Sequence, residues 1–147
     1  MREGPGPGRQ GARDWRLNRA AGRGDADAVR AAVRDGAQVD SHRGSGGDTP
    51  LIVALRRGHA DVCRVLLRES GADVNGINSY GRTALFYAVG KSWSFLCRLL
   101  AWCGADACIK DDWGRTADIQ KQSLSDVAVS VLWPMPLLGS AWTLCEH

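Results

Sequence analysis

At 147 residues, 44% of them hydrophobic and 24% charged, the chain can bury one ordinary core but not two comfortable ones. Its net charge is a mild +3, and although residues 1–34 hold eight arginines against four acids, they do not form the dense basic stripe or known motif of a nucleic-acid footprint, which favours a solvated Arg-rich leader over nucleic-acid binding. The five cysteines are odd in number, with no apolar signal segment at the start, no N-glycosylation sequon and no C-x-x-C pair. Reduced structural thiols in the cell interior, cytoplasmic and/or nuclear, are expected, with no bound metal or other cofactor.

Taken in order, residues 1–13, MREGPGPGRQGAR, contain almost nothing to bury and are predicted to be a disordered leader. Thr49, Thr83 and Thr116 then open three segments spaced 34 and 33 residues apart, a repeat period in the range of stacked helical arrays. A weaker copy scans from Trp15, with Ala20, Ala21 and Gly24 in place and Gly36-Ala37 closing it. Four repeats are therefore expected, at about 15–48, 49–82, 83–115 and 116–133. The clearest is DTPLIVALRRGHADVCRVLLRESGADVN, residues 48–75. Thr49 can cap a first helix and Pro50 suits its first position, where the missing N–H is not needed. Leu51, Ala54 and Leu55 give that helix an apolar stripe, and Gly58 ends it. A second helix runs from about Ala60 to Glu69, with Val62, Val65, Leu66 and Leu67 at helical spacing, and Gly71 closes it. Helices this short are not stable alone, so each pair must pack on its neighbours. Leu51, Ala54, Val65, Leu66, Leu85, Ala88 and Leu99 are the predicted core. One extra residue stands between Gly36 and Thr49, and another between Leu67 and Gly71.

These phrases resemble the ankyrin-repeat family. TPLIVALRRGH at 49–59 and GADVN at 71–75 match its repeat motif, and GAQVD at 36–40 and GADAC at 104–108 are variants of it. The resemblance covers residues 15 to about 133. It implies an all-α solenoid of about four stacked helix-turn-helix repeats joined by hairpin-like finger loops, with degenerate terminal repeats and helix pairs near 16–35, 49–69, 83–102 and 116–133. It makes His59 a structural residue of the turn between helices. It also implies a non-enzymatic scaffold or adaptor, monomeric, binding a protein partner on its finger tips and first-helix faces.

No Gly-rich phosphate loop, paired-carboxylate pattern or G-x-S-x-G occurs, so nothing points to an enzyme. The adjacent acids Asp111 and Asp112 are expected in a solvated loop rather than on a metal. The positions matching the family's fingers are His42, Arg43, Ser45 and Asp48, then Ile77, Ser79, Tyr80 and Arg82, then Lys110, Asp112, Trp113 and Arg115. Those matching its first-helix face are Arg56, Arg57, Gly90 and Lys91. Among these, Tyr80, Trp113, Arg82, Arg115, Ser79, Asp112, Arg56, Arg57 and Lys91 are the candidate partner-binding residues. Tyr80 and Trp113 occupy the same site one period apart, and Tyr, Trp and Arg are the side chains that most often anchor interfaces; the alternative is that both rings lie against neighbouring fingers.

Two narrower resemblances point to particular partners. Asp14-Trp15, NSYGR and DDWGR look like the ankyrin-type inhibitors of cyclin-dependent kinases, although a full repeat stands between the first copy and NSYGR. WPMP at 133–136 resembles part of the box of a ubiquitin-ligase substrate receptor, with Ala128 where its cysteine belongs.

Toward the end, Gln120, Lys121 and Gln122 replace the small apolar residues of inner copies, as a solvent-facing terminal cap would require. From Val127 to Cys145 the chain carries no charge, close to the length of a membrane span. Pro134 and Pro136 interrupt that run, so 134–147 is expected to be a poorly ordered apolar extension rather than a membrane anchor.

Overall fold

The computed structural model describes residues 8–91 and 93–117. The tail, the proposed end cap and all but the first two residues of the fourth repeat lie outside them. The described residues contain helices and turns and no strand. They divide at Asp73 and Val74 into two compact units.

The first unit opens with α1 (Gly8–Arg23) and α2 (Ala26–Arg34). Here the leader expectation fails: α1 starts directly after Pro7, so residues 8–13 are helical. Those residues are tied down by polar contacts that composition does not reveal. The Gln10 amide donates to Asp14 Oδ1 (2.9 Å) and to the Gly36 carbonyl (3.0 Å). Asp14 is buried and also accepts the Gln38 N–H at 2.8 Å. These bonds hold the helix start against the close of the first repeat and offset the poor helix propensity of Gly8 and Gly11. Asp25 caps α2 by accepting the Ala28 N–H at 3.0 Å.

The second pair is α3 (Pro50–Arg56) and α4 (Ala60–Arg64). Thr49 caps α3 as expected, its hydroxyl accepting the Ile52 N–H at 3.3 Å. Leu51, Ile52, Ala54 and Leu55 of α3 pack with Val62, Cys63, Val65 and Leu66, all at most 3% exposed, against α1 and α2. Burial pushes the Cys63 thiol up to about 12, so it packs as a small apolar group and not as a nucleophile. The extra residue ahead of Gly71 has a visible consequence. α4 passes into a π-helical turn, Val65–Glu69, in which the Ser70 N–H reaches the Val65 carbonyl, five residues back, at 3.1 Å. The other second helices close with Ala37 bonding to Ala32 and Ala105 to Leu100, both at 3.0 Å. In the inserted copy the equivalent bond spans one residue more, Ala72 to Leu66, at 2.9 Å. A π turn accommodates a single insertion without moving the buried stripe before it.

His59 holds the two helix pairs of this unit together. Its Nε2 lies 3.2 Å from the Gly22 carbonyl, which also accepts from Arg57 at 2.7 Å. The ring is packed against Gly24, whose φ is +77° and where an added Cβ would lie 2.6 Å from His59 Nδ1. Gly24→Ala is therefore expected to lower stability by about 1–2 kcal/mol from the left-handed conformation alone, and more if the His59 contact is lost. A urea titration beside wild type checks this, and an unchanged midpoint would contradict it.

The second unit holds α5 (Ala84–Gly90) and α6 (Ser94–Trp102). Thr83 caps α5, accepting the Phe86 N–H at 3.3 Å. Leu85, Ala88 and Leu100 are fully buried, and Leu96, Cys97 and Ala101 complete the stripe. Leu99, expected in the core, is only half-buried. Leu66 and Leu100 both stand 17 residues beyond the threonine that opens their copy, so Leu100 is the structural counterpart of Leu66. The period between these two copies is 34, and a count of 33 lands one position off the buried face.

Consecutive closing phrases are linked within each unit by the same bond. The Asp73 N–H donates to Asp40 Oδ1 at 2.8 Å in the first unit. In the second, the Asp106 N–H donates to Asn75 Oδ1 at 2.7 Å.

Candidate functional site

Each finger tip is a tight hairpin closed by two backbone bonds, of which the outer one spans the whole tip. Gly44 donates to Asp48 (2.9 Å), Asn78 to Arg82 (3.1 Å) and Asp111 to Arg115 (2.8 Å). The three tips have equal length, so the extra residue of the first finger lies upstream, between Gly36 and Gly44. In the second finger the Asn78 side chain organises the turn, its Oδ1 accepting the N–H groups of Tyr80 (3.0 Å) and Arg82 (3.1 Å). In the third, Asp111 Oδ1 does the same for Trp113 (3.0 Å) and Arg115 (2.9 Å). An Asx turn of this kind fixes where the next aromatic points. The first finger has glycine at the equivalent position and no aromatic two residues on.

The second and third fingers are joined. The Asp112 N–H donates to the Tyr80 carbonyl at 3.0 Å. The approach is close because residue 81 is glycine, with φ +74° and the Asp111 Cα only 3.2 Å from where a Cβ would sit. This brings Tyr80 and Trp113 into a stack, with centroids 6.1 Å apart and planes inclined by 26°. The rings are nevertheless 44% and 61% exposed. Sequence reasoning offered free tips or rings lying against neighbouring fingers; each ring lies against the ring of the neighbouring finger and stays partly exposed.

Arginines complete the cluster. The Arg82 guanidinium lies 5.0 Å from the Trp113 ring centroid and 5.8 Å from that of Tyr80. Arg115 lies 5.2 Å from Trp113 and 5.8 Å from Phe86. Both are held by one carboxylate, Asp111 Oδ2, with Arg82 Nε at 3.2 Å and Arg115 Nη2 at 2.9 Å. The expectation that Asp111 is solvated is thus corrected: its side chain is fully buried, and only Asp112 is exposed. Burial by itself would raise the Asp111 pKa. The Arg115 N–H, the two guanidinium groups and the Trp113 N–H more than offset it, lowering the value from 3.8 to about 2.

Other candidates fall elsewhere. Ser79 and Asp112 are exposed at the same two tips. Lys91 is exposed, its ammonium 5.0 Å from the Trp93 ring centroid. Arg56 and Arg57 belong to the first unit and are engaged within it, Arg56 with Asp48 at 2.6 Å and Arg57 with the Gly22 carbonyl. Asp48, expected at an exposed finger position, is buried at 1%, because it takes the place of the finger arginines and turns inward to Arg56. Sequence reasoning missed Asn78 and Asp111. The signal was present, an Asn or Asp two residues before the repeated aromatic-Gly-Arg.

Among the described residues there is no group of three or more His, Cys, Asp or Glu able to hold a metal. No helix there is long and apolar enough to cross a membrane.

No curated protein matches the chain. A family model for ankyrin repeats, spanning three copies, matches residues 17–111. Capping threonines, antiparallel helix pairs and hairpin fingers follow one another through those residues, and the chain belongs to the ankyrin-repeat family, an all-α fold whose members are in general protein–protein interaction modules.

Proposed function

We propose that the chain is a non-enzymatic adaptor that engages a protein partner at the tips of its second and third fingers. The observation that carries this is the Tyr80–Trp113 stack: two large rings, pre-ordered by paired Asx turns, still expose much of their area. Holding an aromatic in place before binding lowers the entropy cost of association. Arg82 and Arg115 flank the rings and add directional donors for a partner's carbonyl or carboxylate groups. Ser79 and Asp112 form the polar rim.

Proximity labelling with the full-length chain, followed by pulldown of the recovered partner, tests the reading. Trp113→Ala and Tyr80→Ala are each expected to weaken capture by the equivalent of at least about 1 kcal/mol. The lost stack contributes only about 0.5–1.5 kcal/mol to folding, so the melting temperature should fall modestly. Full-strength capture by both variants would place the binding face elsewhere. A kinase catalytic subunit as the captured partner would support the inhibitor reading. Elongins with a cullin would support the ubiquitin-ligase receptor.

A further inference from the structure

The helix that replaces the expected leader creates a surface that composition alone did not suggest. α1 carries Arg9, Arg13, Arg16, Arg19 and Arg23, no lysine, and a single acid, the buried Asp14. At about 100° per residue these five arginines fall within an arc of roughly 120°. They run for about 21 Å along the helix. None of them has an ion pair among the described residues, whereas Arg30, Arg56, Arg82 and Arg115 do. Arg16, Arg19 and Arg23 form one wall of a groove of about 430 Å³ between α1 and α2, with Ala28, Ala31 and Ala32 on the other. Trp15 stands at its edge, 38% exposed, with the Arg19 guanidinium 5.0 Å from the ring centroid. The groove is lined by α1, α2 and the two residues that cap α2, Asp25 and Asp35.

We propose that this groove docks an acidic amphipathic segment of a protein partner, its carboxylates on Arg16, Arg19 and Arg23 and an apolar side chain over Ala28 and Ala31 beside Trp15. Arginine rather than lysine suits carboxylate recognition, because the planar fork pairs with two oxygens at once. The alanine wall leaves room for an inserted side chain, which neither a flat membrane nor a phosphate backbone supplies. Asp25 and Asp35 also line the groove, which confines the partner's carboxylates to the arginine wall. A second copy of the chain is disfavoured as occupant, since two five-arginine stripes would face each other.

The test uses the full-length chain and a fluorescein-labelled helical peptide of about five turns, with Glu on one face and Leu on the other. Fluorescence anisotropy is expected to show binding that weakens as salt rises. Combined R16Q, R19Q and R23Q should reduce affinity by at least about tenfold, the equivalent of 1.4 kcal/mol, with circular dichroism unchanged. Ala31 is exposed, so Ala31→Tyr should fold normally; by filling the groove it should weaken the Glu-Leu peptide while sparing a poly-Glu peptide of equal length. Undiminished binding by the glutamine variant would overturn the proposal. So would tighter binding of oligothymidylate, or of phosphatidylserine vesicles, than of the peptide.

Discussion

Truncating Leu66 to alanine is expected to lower the unfolding free energy by about 2–5 kcal/mol. Leu66 is fully buried and sits in the π turn that packs on α2 and α3. Removing its isopropyl group leaves a void that these short helices cannot fill without breaking their own contacts, so both the transfer and the cavity contributions are lost. Its carbonyl also accepts the Ala72 N–H that closes the helix, and that bond survives the substitution, so the loss reports packing. Leu67, one residue on, is only half-buried, and Leu67→Ala should cost less than half as much. Urea unfolding of both variants checks the pair of values. Equal losses would mean that the π turn does not orient Leu66 into the core.

The second large effect concerns Asp111. It accepts five hydrogen bonds, from the N–H groups of Trp113 and Arg115 and from the side chains of Arg82 and Arg115. Asp111→Ala removes them all, leaving Arg82 and Arg115 unneutralised and the third tip held by its backbone bonds alone, so partner capture through the fingers should be lost with it. Asp111→Asn separates the two roles. Asn78 shows that a neutral amide suffices for the turn, so this variant should keep the finger's shape and give up only the charge. Because the folded-state pKa lies below its unfolded value, the carboxylate's contribution is fully present above about pH 4 and is lost as pH falls toward 2. In wild type the backbone amide resonances of Trp113 and Arg115 should therefore titrate with a midpoint near 2. In Asp111→Asn they should not move in that range. A wild-type midpoint near 4 would mean that the arginines do not hold the carboxylate.

Much of this was legible in the sequence, and the readable part shares a cause. Thr49 and Thr83 cap helices because a hydroxyl one position ahead of an apolar run has a free N–H to accept, whatever surrounds it. Leu51, Ala54, Leu66, Leu85 and Ala88 are buried because a helix of 3.6 residues per turn puts those spacings on one face. The period and its two single-residue insertions could be counted directly. These are local or periodic properties, and the chain by itself determined them.

What the tertiary structure decided are the places where distant segments meet. Gly8 to Arg13 are helical because Gln10 and Asp14 find partners at Gly36 and Gln38, and no local propensity announces that. Asp48 and Asp111 look like loop acids, yet each is buried against an arginine whose approach depends on how the chain folds back. The stack of Tyr80 on Trp113 arose in the same way. The sequence placed both aromatics at one site of the repeat, but only the bond from Asp112 to Tyr80 and the absence of a side chain at Gly81 bring two successive fingers close enough for the rings to touch.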